Sequence, residues 1–301
     1  MPDAYGLIKD RFGPDCAFGS PASGVTTYKA GGPLEVLVKP SSRSGLAWLR
    51  GFCSENKVPF LVLGAGSNIL VSDRGLAGVA ALTVKMDKTE ISGDLLTAEA
   101  GALWDNVVRA AVSAGLAGLE KTSGIPGTAG GAVFMNAGAF GQEAFDRLES
   151  FEVMAPSGAV KTVKKSEVKY GYRKVSGLEG LVILKAAFRL KAGDKNALEA
   201  ERARVLARRA ENQPLDFPSA GSVFKRPAED FASRLIDTAG LKGLAIGGAR
   251  VSEKHAGFII NAGGASASDI YALIKKVRVE VKVRLGVELE LEQILLGDFE
   301  D

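Results

Sequence analysis

The chain has 301 residues, 46% of them hydrophobic, which suffices for about two or three domains with ordinary cores. A net charge of +3, with no basic run interleaved with aromatics, argues against a nucleic-acid partner, and no apolar run approaches the ~20 residues of a membrane span. Two cysteines without a CxxC, and one histidine, His255, offer no metal site and no Ser-His-Asp triad except one built on that residue. The polar start MPDAYGLIKDRFGPD lacks a signal-peptide core, and the cysteine usage suits a reducing cytoplasm.

In chain order, an α/β unit is expected from Thr26 to Leu82. Leu34 to Val38 reads as a strand closed by Pro40. Leu46, Leu49, Phe52 and Cys53 recur at helical spacing behind Ser42 or Ser44 as the cap. Phe60 to Leu63 reads as a buried strand running into Gly64, Ala65, Gly66, Ser67 and Asn68. This is a poor dinucleotide fingerprint, because Ile69 stands where the third glycine belongs and a strand and turn follow instead of a helix. A phosphate nest and a structural turn both remain open.

A second unit follows from about Thr83 to Lys191. It has a helix carrying Val107, Val108, Ala111 and Val112, with strands near Phe151–Met154 and Leu181–Leu184. Between them lies GLEKTSGIPGTAGGAVFMNAGAFG, from Gly118 to Gly141, almost without charge after Thr122. Its glycines forbid a long regular helix. They allow bare backbone N–H groups to approach a large anion such as a pyrophosphate. The alternative is a tight loop packed on a sheet. In Tyr170-Gly171-Tyr172-Arg173 the arginine needs an anionic partner, either a substrate carboxylate or an internal salt bridge.

A charged helix over roughly Ala197 to Glu211 should present Arg202, Arg204, Arg208 and Arg209 on a solvated face. In Ser219-Ala220-Gly221-Ser222-Val223-Phe224, the serine sits among small and apolar residues, and an acid role and a plain loop role are both open. His255 reads as a satisfied loop histidine. Ile270, Leu273, Ile274, Val277 and Val281 define a helix started near Ser268 and stopped by Gly286. Val287, Leu289 and Leu291 then alternate with Glu288, Glu290 and Glu292 as in a strand, which does not distinguish among the three glutamates.

Taken in order, TTYKAGGP, LVLGAGSNILVSDRG, SGIPGTAGGAVFMNAGAFG, YGYR, QPLDFPSAGSVFKRP, AGLKGLAIGGARVSEKHAGFIINAGGASASDI and GVELELEQILLG resemble the UDP-N-acetylenolpyruvoylglucosamine reductase family. The resemblance runs from about Thr26 to Gly297. It implies an α+β protein: a two-subdomain FAD-binding fold of the vanillyl-alcohol-oxidase type over residues 1–82 and 83–196, and a C-terminal α+β substrate domain over 197–301. It implies non-covalent FAD, NADPH as co-substrate, and a UDP-sugar substrate reduced for peptidoglycan synthesis in the cytoplasm, with no membrane and no obligate protein partner. Its flavin loops map onto Gly64, Ala65, Gly66, Ser67 and Asn68 and onto Ile125, Pro126, Gly127, Gly130, Asn136 and Gly138. Its proton donor maps onto Ser222, and its paired arginine and glutamate onto Arg173 and Glu292. Two departures stand out: Val175 where the family usually has serine, and Arg226 in FKRP where the family often shows FKNP. The absence of a long insert after Tyr172 resembles the branch without the extra tyrosine loop. Another FAD oxidoreductase of the same fold, or a non-enzymatic nucleotide-binding protein, is the competing reading.

Overall fold

Local sequence signals become elements with few exceptions in the computed structural model, which describes residues 2–299. The chain divides into two units, one of residues 2–18, 36–65 and 78–208, the other of residues 19–35, 66–77 and 209–299.

The first unit holds helices α1 (Pro2–Phe12) and α2 (Arg43–Glu55) and residues 16–18, 36–38, 78–82 and 60–63 of a sheet with strand order Cys16–Pro21, Pro33–Val38, Leu76–Leu82, Phe60–Leu63. Phe60–Leu63 runs parallel to its neighbour, in register from Phe60 opposite Val79 to Leu63 opposite Leu82. Ser42 is the α2 cap, its Oγ accepting the Gly45 N–H at 3.1 Å, which satisfies one of the four donors every helix start leaves open. The expected apolar stripe is the buried one: Leu46, Leu49 and Cys53 pack with Ile8, Val36, Val38, Val79 and Ala81.

A second core in this unit lies on a five-stranded antiparallel sheet, ordered Val160–Lys164, Leu148–Met154, Val182–Arg189, Leu95–Glu99, Thr89–Ser92. Helix α3 (Trp104–Ser113) buries Val107, Val108, Ala111 and Val112 against it. Trp104 meets Phe188 edge to face at 5.4 Å, and its Nε1–H donates to Thr122 Oγ1 at 3.1 Å, so the fully buried indole has no open polar group. The one α-helix within the glycine-rich segment is the six-residue α4 (Ala129–Phe134), beside a 3-10 turn at Glu120–Thr122 and a short strand at Gly138–Ala139; α5 (Ala144–Arg147) follows. Helix α6 (Lys195–Asn212) follows, with its residues up to 208 in this unit. Arg202 is not on its solvated face. Its two terminal nitrogens donate to both oxygens of Asp105, at 2.6 and 2.7 Å.

The second unit packs α7 (Ala232–Thr238) and α8 (Ala267–Leu285) on a three-stranded sheet of Ala245–Ile246, Ala249–Val251 and Ile259–Asn261. Ser266, not Ser268, caps α8. Its Oγ accepts the Asp269 N–H while Asp269 accepts the Ser266 N–H, a reciprocal capping box. Ser268 is already inside the helix, and its N–H and that of Ala267 donate to Asp73, each at 2.8 Å. Gly286 ends the helix at φ +72°, a left-handed turn that suits glycine. The strand expected over 287–291 does not form. The alternation survives as burial, with Leu289 inside and Glu288 and Glu290 outside, but among the described residues the only ladder contact is a single bridge from Leu291 to Phe224. The strand comes later, at Ile294–Leu296, parallel to Ile69–Val71.

Candidate active site

Glycine at the two glycine loops of the first unit is required mainly by chain meeting chain. A Cβ at Gly64 would collide with Thr128 Oγ1, and one at Gly130 would stand 2.9 Å from the Ala100 Cβ. At Gly138 it would come within 2.7 Å of the Gln142 carbonyl. Packing therefore explains these three positions. Around Gly127, at φ +118°, a different feature appears. The Gly127 carbonyl accepts from Trp104, and Ala129 and Gly130 donate to Ala102 and Ala100. Among the described residues, neither the Gly127 N–H nor the Thr128 N–H meets an acceptor within the chain, although Thr128 is 1% exposed. Buried N–H groups rarely lack an acceptor. An anionic ligand such as a dinucleotide pyrophosphate fits these two donors. In the other loop, the Ala65 and Gly66 N–H groups are likewise absent from the chain's internal hydrogen bonds among the described residues.

The glycine-rich loop is pinned at both ends. At its head, Asp105 accepts the Gly124 N–H at 2.7 Å as well as the fork of Arg202. The Arg202 hydrogen bonds outweigh burial and hold the Asp105 carboxyl below the usual carboxylate range. At its tail, fully buried Asn136 sits at φ +43° and spends its amide on the protein: Nδ2 donates to Glu143 Oε2 and to the Gly171 carbonyl, and Oδ1 accepts the Phe145 N–H.

That bond to Gly171 ties the loop to the turn bearing Arg173, which lies between Tyr170–Gly171 and Lys174–Val175 at φ +52°. The guanidinium donates to the Gly138 carbonyl at 2.7 Å and the Asn136 carbonyl at 3.4 Å, lies over the Tyr172 ring, and stands 4.0 Å from Glu143. Arg173 is thus aimed by the glycine loop itself. Glu143, which the sequence reading missed, touches both Asn136 and Arg173, and its position in GQE right after the glycines was the available signal.

In the second unit, Ser222 and Glu292 come together through the backbone. Ser222 bridges to Phe258, and Phe224 bridges to Leu291. The Glu292 N–H donates to the Val223 carbonyl at 2.9 Å, and Val223 N–H to Gly257. Glu292 is held from its other side by Asn68, whose Nδ2 donates to the Glu292 carbonyl at 3.2 Å while its own carbonyl accepts the Ile294 N–H. The neighbouring glutamates are engaged elsewhere: Glu288 with Lys282, Glu290 with Lys225. His255 stays a loop residue. Its Nδ1 accepts the Gly257 N–H at 3.2 Å, and burial pushes its pKa below the usual imidazole value.

No group of His, Cys, Asp or Glu among the described residues could hold a metal ion, and no helix is long and apolar enough to cross a membrane. The model of the FAD binding domain matches residues 34–164, which include the Gly64 loop and the glycine-rich segment. The chain is thus an FAD-dependent oxidoreductase of mixed α+β fold with a separate C-terminal domain. That second domain matches the family described as UDP-N-acetylenolpyruvoylglucosamine reductase, C-terminal domain, over residues 213–296. The UDP-N-acetylenolpyruvoylglucosamine reductase of Clostridium beijerinckii is 46% identical over 272 residues, 90% of each chain. That of Pediococcus pentosaceus is 42% identical over 279 residues, 92% of this chain and 93% of its own. The crystal structure of the Thermus caldophilus enzyme superposes with a TM-score of 0.81 at 35% identity, covering 92% of this chain and 98% of that one. The chain belongs to the UDP-N-acetylenolpyruvoylglucosamine reductase family.

Proposed function

We propose that the chain reduces the enolpyruvyl ether of UDP-N-acetylglucosamine to UDP-N-acetylmuramate at the expense of NADPH, in the cytoplasmic synthesis of peptidoglycan precursors. Beyond family membership, the observation that carries this reading is the pairing of the Ser222 loop with Glu292 through the Val223 carbonyl. In the net reaction the alkene gains a hydride at C3 and a proton at C2, and NADPH becomes NADP⁺. FAD, bound without a covalent link, supplies two-electron transfer between the two substrates. Its binding falls to the loop Gly64 to Asn68 and to Ile125, Pro126, Gly127, Gly130, Asn136 and Gly138. The Gly127 and Thr128 N–H groups are donors for the pyrophosphate, and Asn136 acts by holding the loop's shape.

The Ser222 hydroxyl gives the proton to C2. A serine is a weak acid, but the carbon accepting its proton is a strong base, so the transfer runs downhill. Negative charge at C2 spreads into the adjacent carboxylate. Arg173 stabilises it by charge, and Glu292 by a hydrogen bond when protonated or through a water. Substrates in this reading are small molecules, a UDP-sugar and NADPH.

Ser222→Ala tests the reading because it separates the two halves of turnover. NADPH should reduce the bound flavin near the wild-type rate, since no proton at C2 is needed. Reoxidation by the enolpyruvyl substrate should slow on the order of 10²–10⁴-fold, the usual worth of a general acid. Ser222→Cys should recover part of that loss. Normal reoxidation in Ser222→Ala would leave the serine an ordinary loop residue.

A further inference from the structure

A chain of buried polar groups runs through the second unit beside the Ser222 loop. Tyr28 is fully buried, and its Oη donates to Gln293 Oε1 at 3.0 Å. Gln293, 3% exposed, donates from Nε2 to the Ala220 carbonyl at 3.0 Å and to the Gly221 carbonyl at 3.4 Å. The Tyr28 carbonyl in turn accepts from Asn261 Nδ2 at 3.0 Å. The proton positions are forced. Carbonyls only accept, so the amide nitrogen faces Ala220 and Gly221, its oxygen faces Tyr28, and the phenol must donate. Burial raises the Tyr28 pKa, so the phenol keeps its proton at any working pH.

Two apolar side chains of similar shape would fill this space without the desolvation cost of a phenol and an amide. The polar pair does something packing does not: it sets a direction and a register. Gln293 follows Glu292 immediately, and Gly221, at φ +73°, immediately precedes Ser222. One side chain therefore joins the two segments at the positions next to both proposed catalytic groups. The backbone bonds from the Glu292 N–H to the Val223 carbonyl and from the Lys225 N–H to the Glu290 carbonyl, with the Lys225–Glu290 ion pair beside them, also join the two segments, but they hold residues 223–225 and not the 220–221 turn.

We propose that Gln293 is a positioning residue for the reduction: its amide holds the 220–221 turn so that the Ser222 hydroxyl keeps a fixed place relative to Glu292, and Tyr28 locks that amide in one orientation. The proposal rests on the reading of Ser222 as the proton donor.

The test uses the FAD-loaded enzyme and anaerobic rapid mixing, following flavin absorbance in each half of turnover. Gln293→Leu should leave reduction by NADPH within about twofold, and slow reoxidation by the enolpyruvyl substrate on the order of 10- to 100-fold, the cost of misplacing a reacting group by about an ångström. Introduced into Ser222→Ala, the same change should add almost nothing, because it acts through a hydroxyl already gone. Tyr28→Phe combined with Gln293→Met removes the polar pair but keeps its bulk, so its melting temperature should lie near wild type while reoxidation stays slow. This double variant carries the test if Gln293→Leu alone does not fold. Normal reoxidation in the double variant overturns the proposal, as does equal slowing of both halves or an effect that persists undiminished in Ser222→Ala. Normal reoxidation in Ser222→Ala itself would instead strike the underlying reading.

Discussion

Arg173 shows how a charged and largely buried side chain can be oriented by the backbone around it. Its fork rests on two loop carbonyls, which orient it without neutralising it, and Glu143 stands at the edge of ion-pair range. Arg173→Ala should therefore cut turnover on the order of 10²-fold or more, by loss of charge stabilisation. Arg173→Lys should recover only part, because an ammonium cannot span both carbonyls. Steady-state kcat on saturating enolpyruvyl substrate reads both. Glu292→Gln should hurt less than Glu292→Ala if the group works as a hydrogen-bond donor, while Glu290→Ala should stay near wild type, since its pair with Lys225 is exposed and such pairs are worth about 0–1 kcal/mol. Equal losses in Glu290→Ala and Glu292→Ala would remove the ground for choosing position 292. Alternation along GVELELEQ could not make that choice, because period-two patterning assigns a face and not a partner. What separates the three glutamates is tertiary: Lys282, Lys225 and the Val223 carbonyl lie far from them or across a turn.

Elements were legible where one local rule decided them. Ser42 and Gly286 start and stop helices, respectively, by hydrogen bonds and backbone angles confined to a few residues. The start of α8 shifted by two positions because Ser266 and Asp269 satisfy each other, leaving the next donors to Asp73, distant in sequence. The same blindness placed Arg202 on a solvated face, although α3 offered Asp105 to it. That pair couples α3, α6 and the head of the glycine loop through Gly124, and it has a pH signature. Asp105 has a lowered pKa in the folded state, so the stability it contributes is present above the unfolded value of about 3.9 and is lost as pH falls through the folded pKa. Asp105→Asn should melt lower than wild type at pH 7, and the gap should close as pH drops below about 4. A gap that stays constant across a pH series of melting curves would mean the carboxylate's charge plays no part. In the same loop, Gly130→Val must displace Ala100 and should yield protein with little flavin, read as the absorbance ratio after purification.

At the scale of the whole molecule, the second unit gathers residues 19–35 and 66–77 with everything after 208. Nothing in hydrophobic periodicity announces such a gathering, since it is held by contacts such as Asn68 to Glu292 and Tyr28 to Gln293, whose partners stand more than 200 residues apart. The family resemblance, which implied contiguous domains over 1–82, 83–196 and 197–301, did not carry that information, and neither did composition and spacing. The chain's few reactive side chains then bear on how the whole protein keeps its cofactor. A covalent flavin link needs a histidine or cysteine with a free, reactive atom. His255 lies outside residues 34–164, which match the FAD binding domain, and its Nδ1 accepts the Gly257 N–H. Cys16 is 1% exposed and Cys53 fully buried, and burial pushes the Cys53 thiol up to about 11, so neither offers a thiolate at neutral pH. FAD should accordingly be held by the loops alone. Acid precipitation of the purified yellow protein should leave all the colour in the supernatant and a white pellet. Because a ligand that binds only the folded chain stabilises it by mass action, about 2.7 kcal/mol at a hundredfold excess over Kd, added FAD should also raise the melting temperature in a concentration-dependent way. A coloured pellet would mean a covalent link and overturn this expectation, and a melting temperature indifferent to FAD would mean the glycine loops do not bind it.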